Sequence, residues 1–567
     1  MKQNKSSSSN SSTAPPTASS TKDSQITPAS RSTKVTSPKP ANSTRSKLPV
    51  EVLAPQIQGK RTTTGTSRAK RLPLAGQQIH FVGIGGCGMS GLARMARAGG
   101  AIVTGSDQAD SETIEQLQGI GIEVALEQTA DAVPIHAQLL VISAAIKPDH
   151  PEVVEAKGRG VKVIKYAQML GQVMATHTGI AVAGTHGKST TTSMLSHILI
   201  QCQLDPSFII GANCKQIGGG FRSGQNDLLI AEACEYDRSF HNLKPKMGVI
   251  LNVEADHLDM YSGIEEIVES FAEFAKLIPS KKENGSLLIQ HEVADRLKIT
   301  GGLNCAIETI GFTRDADWQI EVRSDSTHET HEINENHKTN VTNKHGGALP
   351  RPTVHLIHKN ECVAKWLAPL PGDHMAYNSA VAAVTAHRCG CDWQDIARAT
   401  ASFEGLDRRM QKVGEKLFDQ PSQTESNLAK SLTATIVDDY GHHPTEVDAS
   451  LRALRNHYQP KRLICVFQPH QHSRTRFLLD EFAASFDKAD VIIVPHIYFV
   501  RDSKAEQHAV RASDLVDRLI KRDKRALHLY PFEAIVDHLQ HITQPGDLVV
   551  TMGAGDVWRI GKEFLRS

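Results

Sequence analysis

The residues best suited to chemistry lie near the middle of the chain, in Gly184-Thr-His-Gly-Lys-Ser-Thr190. An apolar run from Gly179 to Ala183 precedes them and predicts a buried strand, and a helical pattern follows at once. A glycine turn between a strand and a helix N-terminus presents backbone N–H groups to an anion. Lys188 adds a positive charge, and the Ser189 hydroxyl is a ligand type for Mg²⁺. The segment therefore predicts a nucleoside triphosphate site.

The spacing of this loop departs from the standard GxxxxGK[ST] pattern, which would place its first glycine at Val182. Gly184 instead stands three residues before Gly187. A chance Gly-Lys turn is the alternative interpretation. The flanking strand and helix, together with the run from Lys188 to Thr191, favour the phosphate loop.

Candidate metal ligands follow two further apolar runs that predict strands. In a parallel sheet the carboxyl ends of these strands lie at the same edge as the phosphate loop. Phosphoryl transfer uses a divalent cation, so this edge is predicted to hold one, and solvated loop acids are the alternative. The candidate donors are Glu232, Glu235, Asp237, Asn252, Glu254, Asp256 and His257.

A second glycine pattern, Gly83-x-Gly-x-x-Gly88, follows the predicted strand Gln78–Ile84 and opens a helix. Asp107 ends the next predicted strand at the spacing of a ribose-binding acid. The pattern favours nucleotide-diphosphate binding without distinguishing NAD from a UDP-sugar. A glycine turn that only allows helix and strand to pack is the alternative.

Two polar clusters follow predicted strands in the last third of the chain. They are Val437-Asp-Asp-Tyr-Gly-His-His-Pro-Thr-Glu446 and Phe467-Gln-Pro-His-Gln-His-Ser-Arg-Thr-Arg476. Their density of His, Arg and Asp suggests an anionic or amine substrate, whereas a structural role is the alternative for any single histidine.

The composition is that of a globular protein, with 40% hydrophobic and 22% charged residues. A net charge of +1 provides no strong field for nucleic acid or an anionic membrane. The 9 cysteines form no CxxC pair, which favours reduced thiols. No apolar run approaches the roughly 20 residues that span a bilayer.

Strands alternating with helices predict an α/β fold with doubly wound parallel sheets. The predicted organisation is a disordered Ser/Thr/Pro-rich tail at 1–75, a Rossmann-like domain at 76–173, a central nucleotide-binding domain at 174–402 and a Rossmann-like domain at 403–567. Polar inserts are predicted at 324–347 and 420–430. The histidines of the first insert favour a solvated loop over a metal site, because no cysteine or helical spacing accompanies them.

Taken together, these segments resemble the Mur ligase family of peptidoglycan synthesis, from about Gln78 to the C-terminus. Phe81–Ala93 resembles the family's UDP-binding loop and Gly184–Lys188 its ATP loop. Further matches, in order, are the segments 232–240, 252–257 and 438–446. The resemblance implies a three-domain Mur ligase architecture with a Rossmann-like N-terminal domain, a central P-loop ATPase domain and a Rossmann-like C-terminal domain that closes over the site.

The resemblance also implies a cytoplasmic ligase that uses ATP and Mg²⁺ to join L-alanine to UDP-N-acetylmuramate. Only small-molecule partners would be bound, without nucleic acid or membrane, by a monomer or homodimer. The implied catalytic residues are Lys188, Glu232 and His257, and the implied metal ligands are Ser189, Glu232 and His257. ATP would contact Gly184, Thr185, His186, Gly187, Lys188, Ser189, Thr190, Asn378 and Arg409. The sugar nucleotide would contact Gly83, Gly85, Gly86, Gly88, Met89, Ser90, Asp107, Tyr440, His442 and Arg474.

Two residues differ from the family pattern. Ser189 stands where Thr is usual, and either hydroxyl can bind Mg²⁺. Gln471 stands where Arg is usual, which puts one substrate contact in question unless His472 or Arg476 replaces it. The alternative functions are a ligase that attaches a ready-made tripeptide to the same sugar nucleotide, a nicotinamide-dependent oxidoreductase, and a UDP-sugar sensor that uses ATP as a switch.

Overall fold

A computed structural model describes residues 74–323, 351–418, 433–500, 502 and 504–567. The predicted tail lies outside these ranges except for Leu74 and Ala75, and both predicted inserts lie outside them entirely. Residues 68–567 form one compact unit. It contains three α/β sheets in succession, which confirms the predicted fold class.

The N-terminal domain is built on a five-stranded parallel sheet. Its strands are β1 (Gln78–Val82), β2 (Ile102–Ser106), β3 (Glu123–Ala125), β4 (Leu139–Ile142) and β5 (Lys162–Lys165). Its helices are α1 (Cys87–Ala98), α2 (Glu112–Gly119), α3 (Pro151–Gly158) and α4 (Tyr166–Met174). The spatial order is β3-β2-β1-β4-β5, so the chain reverses its winding beside β1. The glycine loop follows β1 at this switch point, where open α/β sheets bind ligands.

A buried polar network ties β1, β2 and α3 together. His80 Nδ1 lies 2.8 Å from Thr104 Oγ1, and His80 Nε2 lies 2.8 Å from Glu152 Oε2. The Ser106 hydroxyl donates to the other carboxylate oxygen of Glu152 at 2.6 Å. Ser106 and Glu152 are fully buried, so this serine, histidine and acid satisfy one another inside the domain rather than meet a substrate.

The central domain contains a ten-stranded sheet. Its strands are β6 (Thr178–Ala183), β7 (Ser207–Ile209), β8 (Phe221–Arg222), β9 (Leu228–Ala233), β10 (Met247–Ile250), β11 (Ser286–Gln290), β12 (Ala306–Gly311), β13 (Trp318–Arg323), β14 (Thr353–His358) and β15 (Glu361–Leu367). Its helices are α5 (Lys188–Gln201), α6 (Ile264–Lys276), α7 (Arg296–Thr300), α8 (Asp373–Arg388) and α9 (Trp393–Ala401). The order is β15-β14-β13-β12-β11-β10-β6-β9-β7-β8. Parallel pairing places the end of β6 beside the ends of both β9 and β10.

The C-terminal domain contains a six-stranded sheet with the order β16-β17-β21-β18-β19-β20. The strands are β16 (Gln411–Leu417), β17 (Thr433–Asp439), β18 (Leu463–Phe467), β19 (Val491–Val494), β20 (Arg525–His528) and β21 (Leu548–Met552). The helices are α10 (Pro444–Tyr458), α11 (His472–Phe477), α12 (Leu479–Ala484), α13 (Lys504–Gln507), α14 (Ala512–Lys521), α15 (Phe532–Ile542) and α16 (Trp558–Arg566). Only β16 pairs antiparallel in this sheet. Among the described helices of the chain, none has the length and apolar character needed to cross a membrane.

Helix α5, which starts at the phosphate loop, is buried on nearly every side. It packs against α8 and α9 as well as the sheet, and its small hydroxyl residues permit the close approach. The Ser196 hydroxyl donates to the Thr192 carbonyl at 2.8 Å, and His197 Nε2 lies 3.1 Å from the Ala399 carbonyl oxygen. The helix is therefore fixed on all faces, and so is the loop at its N-terminus.

We expect Gly171→Ala to loosen the contact between α4 and the segment before β10. A Cβ at Gly171 would lie 1.9 Å from the Asn242 carbonyl oxygen, which is backbone and cannot turn away. The free energy of unfolding should fall by about 1–3 kcal/mol, as for other overpacked sites. Thermal or urea unfolding measures the change.

Gly158→Ala is the matched control, because Gly158 also lies in a helix and a Cβ there meets nothing within 4 Å. Its stability should stay the same or rise by up to about 1 kcal/mol, since alanine is the better helix former. Equal stability of the two variants would contradict the close packing of α4.

Candidate active site

The predicted phosphate loop connects β6 to α5 in a conformation that requires glycine. Gly184 and Gly187 have φ values of +145° and +82°. Helix α5 begins at Lys188, so its first N–H groups face the loop. The Asn252 side chain clamps the loop, because its Oδ1 accepts the His186 N–H at 2.7 Å and its Nδ2 donates to the His186 carbonyl at 3.1 Å. The loop is thus a preformed anion cradle.

Lys188 folds back onto its own loop. Its Nζ donates to the carbonyl oxygens of Gly184 at 2.6 Å and Thr185 at 3.1 Å, and it lies 2.9 Å from Glu235 Oε2. Burial disfavours the charged form of Lys188, whereas the negative charge of Glu235 favours it. The net effect is a raised pKa of Lys188. The ammonium is therefore charged and held at the loop where a phosphate would lie.

The structure brings Ser189 and Glu232 together at the other side of the loop. The Ser189 hydroxyl donates to Glu232 Oε2 at 3.0 Å, and Glu232 Oε1 accepts the Gly211 N–H at 2.5 Å. Burial raises the pKa of Glu232, so a cation beside it would stabilise its charged form. A hydroxyl and a carboxylate are hard oxygen donors of the kind that Mg²⁺ prefers. These two residues fit the predicted metal.

His257 and Lys188 are linked by Glu235, a residue that sequence reasoning placed among the metal candidates but left out of the catalytic set. His257 Nε2 lies 3.6 Å from Glu235 Oε1 and 3.7 Å from Asp256 Oδ2. Burial lowers the pKa of His257, which favours the neutral ring that can ligate a metal. The position of Glu235, three residues beyond Glu232 at the end of β9, was the available signal.

Three consecutive residues after β10 contact the C-terminal domain. Thr445 Oγ1 donates to Glu254 Oε2 at 2.6 Å, His443 Nε2 donates to the Ala255 carbonyl at 3.2 Å, and Arg474 Nε donates to Asp256 Oδ1 at 2.9 Å. Arg474 and Asp256 are both buried. Burial opposes the Asp256 charge, but Arg474 outweighs it and holds the pKa of Asp256 far below its usual range. In this arrangement Arg474 joins two domains, and its predicted substrate contact stays a prediction.

Glu446 connects the phosphate loop to the C-terminal domain. Its Oε1 lies 3.4 Å from His186 Nδ1 and 3.6 Å from Arg409 Nη1, and its Oε2 lies 3.3 Å from His442 Nδ1. Burial opposes the Glu446 charge, but His442, His186 and Arg409 outweigh it and lower its pKa well below the usual value. Burial also opposes a charged His186, yet Glu446 and Glu254 raise its pKa to about 9.

A cavity of about 280 Å³ lies between the phosphate loop and α10. Its mixed apolar and polar wall suits a nucleoside. Among the predicted ATP residues it is lined by His186, Gly187, Thr190, Asn378 and Arg409. Further lining residues, which sequence reasoning assigned to no ligand, include Phe312, His374, Met375 and Tyr377. Tyr440, predicted to contact the sugar nucleotide, lies with its ring 4.9 Å from the Arg409 guanidinium.

A wider cavity of about 800 Å³ covers the N-terminal glycine loop and is lined by Gly83, Gly85, Gly86 and Asp107. Asp107 Oδ2 accepts the Gly85 N–H at 2.8 Å, so this acid orients the loop. The remaining predicted residues of this loop do not line the cavity. Gly88 faces the Tyr166 ring, Met89 is buried, and the Ser90 hydroxyl donates to the Cys87 carbonyl at 3.0 Å.

Gln471 is buried at the start of α11, and its Nε2 has no hydrogen-bond partner among the described residues. Both candidates to replace the usual arginine are already engaged. His472 Nδ1 lies 3.5 Å from Asp502 Oδ2, and Arg476 pairs with Glu506 at 3.0 Å.

Three family models match successive parts of the chain: "Mur ligase family, catalytic domain" at 78–178, "Mur ligase middle domain" at 182–386 and "Mur ligase, glutamate ligase domain" at 427–555. The chain belongs to the Mur ligase family. The resemblance drawn from its motifs is thereby confirmed.

Curated relatives match most of the chain. The UDP-N-acetylmuramate--L-alanine ligase of Caldanaerobacter subterraneus subsp. tengcongensis is 36% identical over 490 residues, which cover 86% of this chain and 97% of that protein. The protein of the same name from Acetivibrio thermocellus is 35% identical over 492 residues, with 86% and 96% covered. Both comparisons agree with membership of the Mur ligase family.

Solved structures share the Mur ligase fold. The UDP-N-acetylmuramate-alanine ligase of Thermotoga maritima matches with a TM-score of 0.67 at 22% identity, covering 86% of this chain and 98% of that one. A murein peptide ligase from Psychrobacter arcticus matches with a TM-score of 0.60 at 22% identity, covering 87% and 98%.

The ionisation of His374 should make the stability of this Mur ligase depend on pH. Burial lowers the pKa of His374 to about 4, from a usual value near 6.5. Because folding favours the neutral ring, the native state loses stability as the pH falls from 6.5 towards 4. We expect His374→Gln to reduce this loss.

Urea unfolding of both proteins between pH 4 and pH 8 checks the effect. The stability difference between them should be constant above about pH 7 and should shift in favour of the variant below it. A difference that does not change with pH would contradict a lowered pKa of His374 in the folded protein.

Proposed function

We propose that this Mur ligase joins the amino group of L-alanine to the carboxylate of UDP-N-acetylmuramate at the expense of ATP. One observation carries the proposal: Lys188, the Ser189–Glu232 pair and His257 converge at one edge of the central sheet, beside a nucleoside-sized cavity. Relatives called UDP-N-acetylmuramate--L-alanine ligase, 34% to 36% identical, support alanine as the amino acid.

The reaction needs ATP because a carboxylate does not react with an amine near neutral pH. In the first step a carboxylate oxygen of the sugar nucleotide bonds to the γ-phosphorus of ATP, and ADP leaves. In the second step the alanine nitrogen bonds to the activated carbonyl carbon, and inorganic phosphate leaves as the amine loses a proton. The product is an amide, and one ATP is consumed for each bond formed.

The chain's own groups stabilise charge during the first step. The loop amides at the start of α5 and the Lys188 ammonium would stabilise the negative charge that spreads over the transferring phosphoryl group. Glu235 and two loop carbonyls hold that ammonium at the loop. Ser189 and Glu232 would hold Mg²⁺, which neutralises charge on the nucleotide phosphates when bound.

The two cavities suggest how the substrates are arranged. The cavity lined by Asn378 and Arg409 suits the adenosine of ATP, and the cavity over Gly83–Gly86 suits the uridine diphosphate group. The C-terminal domain lies over the phosphate loop through its contacts with residues 254–256. This closure would exclude water, which otherwise hydrolyses an acyl phosphate.

The alternatives account for less of the structure. An oxidoreductase would leave the phosphate loop, Lys188 and the neighbouring acids without a role, and the relatives matched over most of the chain are called ligases. A tripeptide-adding ligase shares the chemistry and differs in its acceptor. We also propose a cytoplasmic location, because ATP and UDP-sugars are cytoplasmic metabolites, and the oligomeric state stays a prediction of monomer or homodimer.

The identity of the acceptor is tested by ADP release from ATP in the presence of UDP-N-acetylmuramate and one amine at a time. We expect L-alanine to give the highest kcat/KM, above glycine and L-serine, and well above the tripeptide L-alanyl-γ-D-glutamyl-diaminopimelate. Higher activity with the tripeptide would replace the proposal by the recycling reaction, and release without any amine would favour the sensor.

Lys188→Ala should reduce ADP release by at least about 100-fold, because a charge that stabilises the transition state is lost from a water-poor site. Lys276→Ala is the matched control, since Lys276 is exposed on α6 and pairs with the exposed Glu273 on the same helix. The control should keep normal activity, and circular dichroism should show both variants folded. Normal turnover by the folded Lys188 variant would refute the assignment of the loop.

A further inference from the structure

Within the described residues, one group of three His, Cys, Asp or Glu side chains has all its ligand atoms within 4.8 Å of one another: His186, Glu254 and His443. His186 belongs to the phosphate loop, Glu254 follows β10, and His443 precedes α10. The group therefore spans the boundary between the central and C-terminal domains. It does not include Ser189 or Glu232, where Mg²⁺ is expected.

Each imidazole is oriented by an acceptor on its far side. His186 Nδ1 lies 3.4 Å from Glu446 Oε1, and His443 Nε2 donates to the Ala255 carbonyl at 3.2 Å. A carbonyl oxygen only accepts, so the His443 proton is on Nε2 and its Nδ1 carries a lone pair. Carboxylates and backbone carbonyls in this position are the usual outer partners of metal-binding histidines.

The remaining ring nitrogens face one carboxylate oxygen. Glu254 Oε2 lies 3.6 Å from His186 Nε2 and 4.0 Å from His443 Nδ1. His186 Nε2 is buried and has no hydrogen-bond partner among the described residues. A nitrogen lone pair and a carboxylate repel each other at this range, so a proton or a cation between them is needed for stability.

We propose that His186, Glu254 and His443 bind a zinc-like divalent transition-metal ion, which links the C-terminal domain to the phosphate loop. Two imidazoles and one carboxylate are the donor set of many zinc sites that keep a fourth position open. The same donors select against Mg²⁺, which prefers oxygen ligands.

To bind the ion, the three ligand atoms need to move only slightly closer to one another. Tetrahedral zinc with bonds of about 2.0–2.1 Å sets its ligand atoms about 3.3 Å apart. The two measured nitrogen–oxygen distances exceed this by less than about 1 Å, which side-chain rotation can supply. The ion would replace one long hydrogen bond, from the Thr445 N–H to His443 Nδ1 at 3.4 Å. His186 and Glu254 also line the cavity of about 280 Å³, which offers an entry path.

The test measures metal binding to the full chain without nucleotide, so it does not depend on the proposed ligase activity. Isothermal titration with ZnCl₂ in millimolar Mg²⁺ gives the affinity, and Co²⁺ absorption distinguishes nitrogen and oxygen ligands from cysteine thiolates. His443→Asn and Glu254→Gln each remove one ligand, while Asn preserves the helix cap and Gln preserves an acceptor for Thr445. His457→Ala, at the far end of α10, is the matched control.

We expect one equivalent of zinc with a visible Co²⁺ spectrum of four-coordinate type and no thiolate charge-transfer band. Both ligand variants should weaken binding at least about tenfold, and the control should not. A crystal of the unaltered protein soaked in zinc should show anomalous density between His186 and His443. Binding that survives both substitutions, binding only at cysteines, or density absent from this position would each overturn the proposal and leave His186 as a protonated ion-pair partner.

Discussion

Parallel pairing of β6 with β9 on one side and β10 on the other is the constraint on which the site depends. The register places Ala183, at the start of the phosphate loop, beside Ala233 and Ile250. Because all three strands run the same way, everything that follows them must emerge at one edge of the sheet. Lys188, Glu235 and the loop after β10 thus meet without any of them being close in sequence. The direction of the strands therefore determines which side chains can act together at this site.

The charged side chains at this edge form extended networks rather than isolated ion pairs. Lys188 lies against Glu235, Glu235 against His257, and His257 beside Asp256. A second network begins at Glu254 and passes through His186 to Glu446. Groups in such arrangements shift one another's pKa values, and strong shifts of this kind are typical of functional sites.

The sequence predicted those parts of the fold that local pattern controls. Continuous apolar runs predicted the buried strands β1 and β6 closely, and glycine patterns predicted the two loops. The strands β12–β15, at one end of the central sheet, were missed because they are partly exposed and alternate polar with apolar residues. Pairings such as Thr445 with Glu254, 191 positions apart, depend on how two domains meet, and no local pattern encodes that. The role of Glu235 was missed because its bond to Lys188 depends on the folded conformation of the phosphate loop, which no local sequence pattern specifies.

Asp256 illustrates what the meeting of domains does to a single side chain. One of its oxygens accepts both the Arg474 guanidinium and the backbone N–H of His257. The backbone at His257 has a φ of +53°, a conformation that a histidine adopts only when its surroundings hold it there. Without the C-terminal domain, Arg474 would no longer bind this carboxylate, and the peptide of His257 would lose that support. The position of the His257 ring therefore depends on a side chain of another domain.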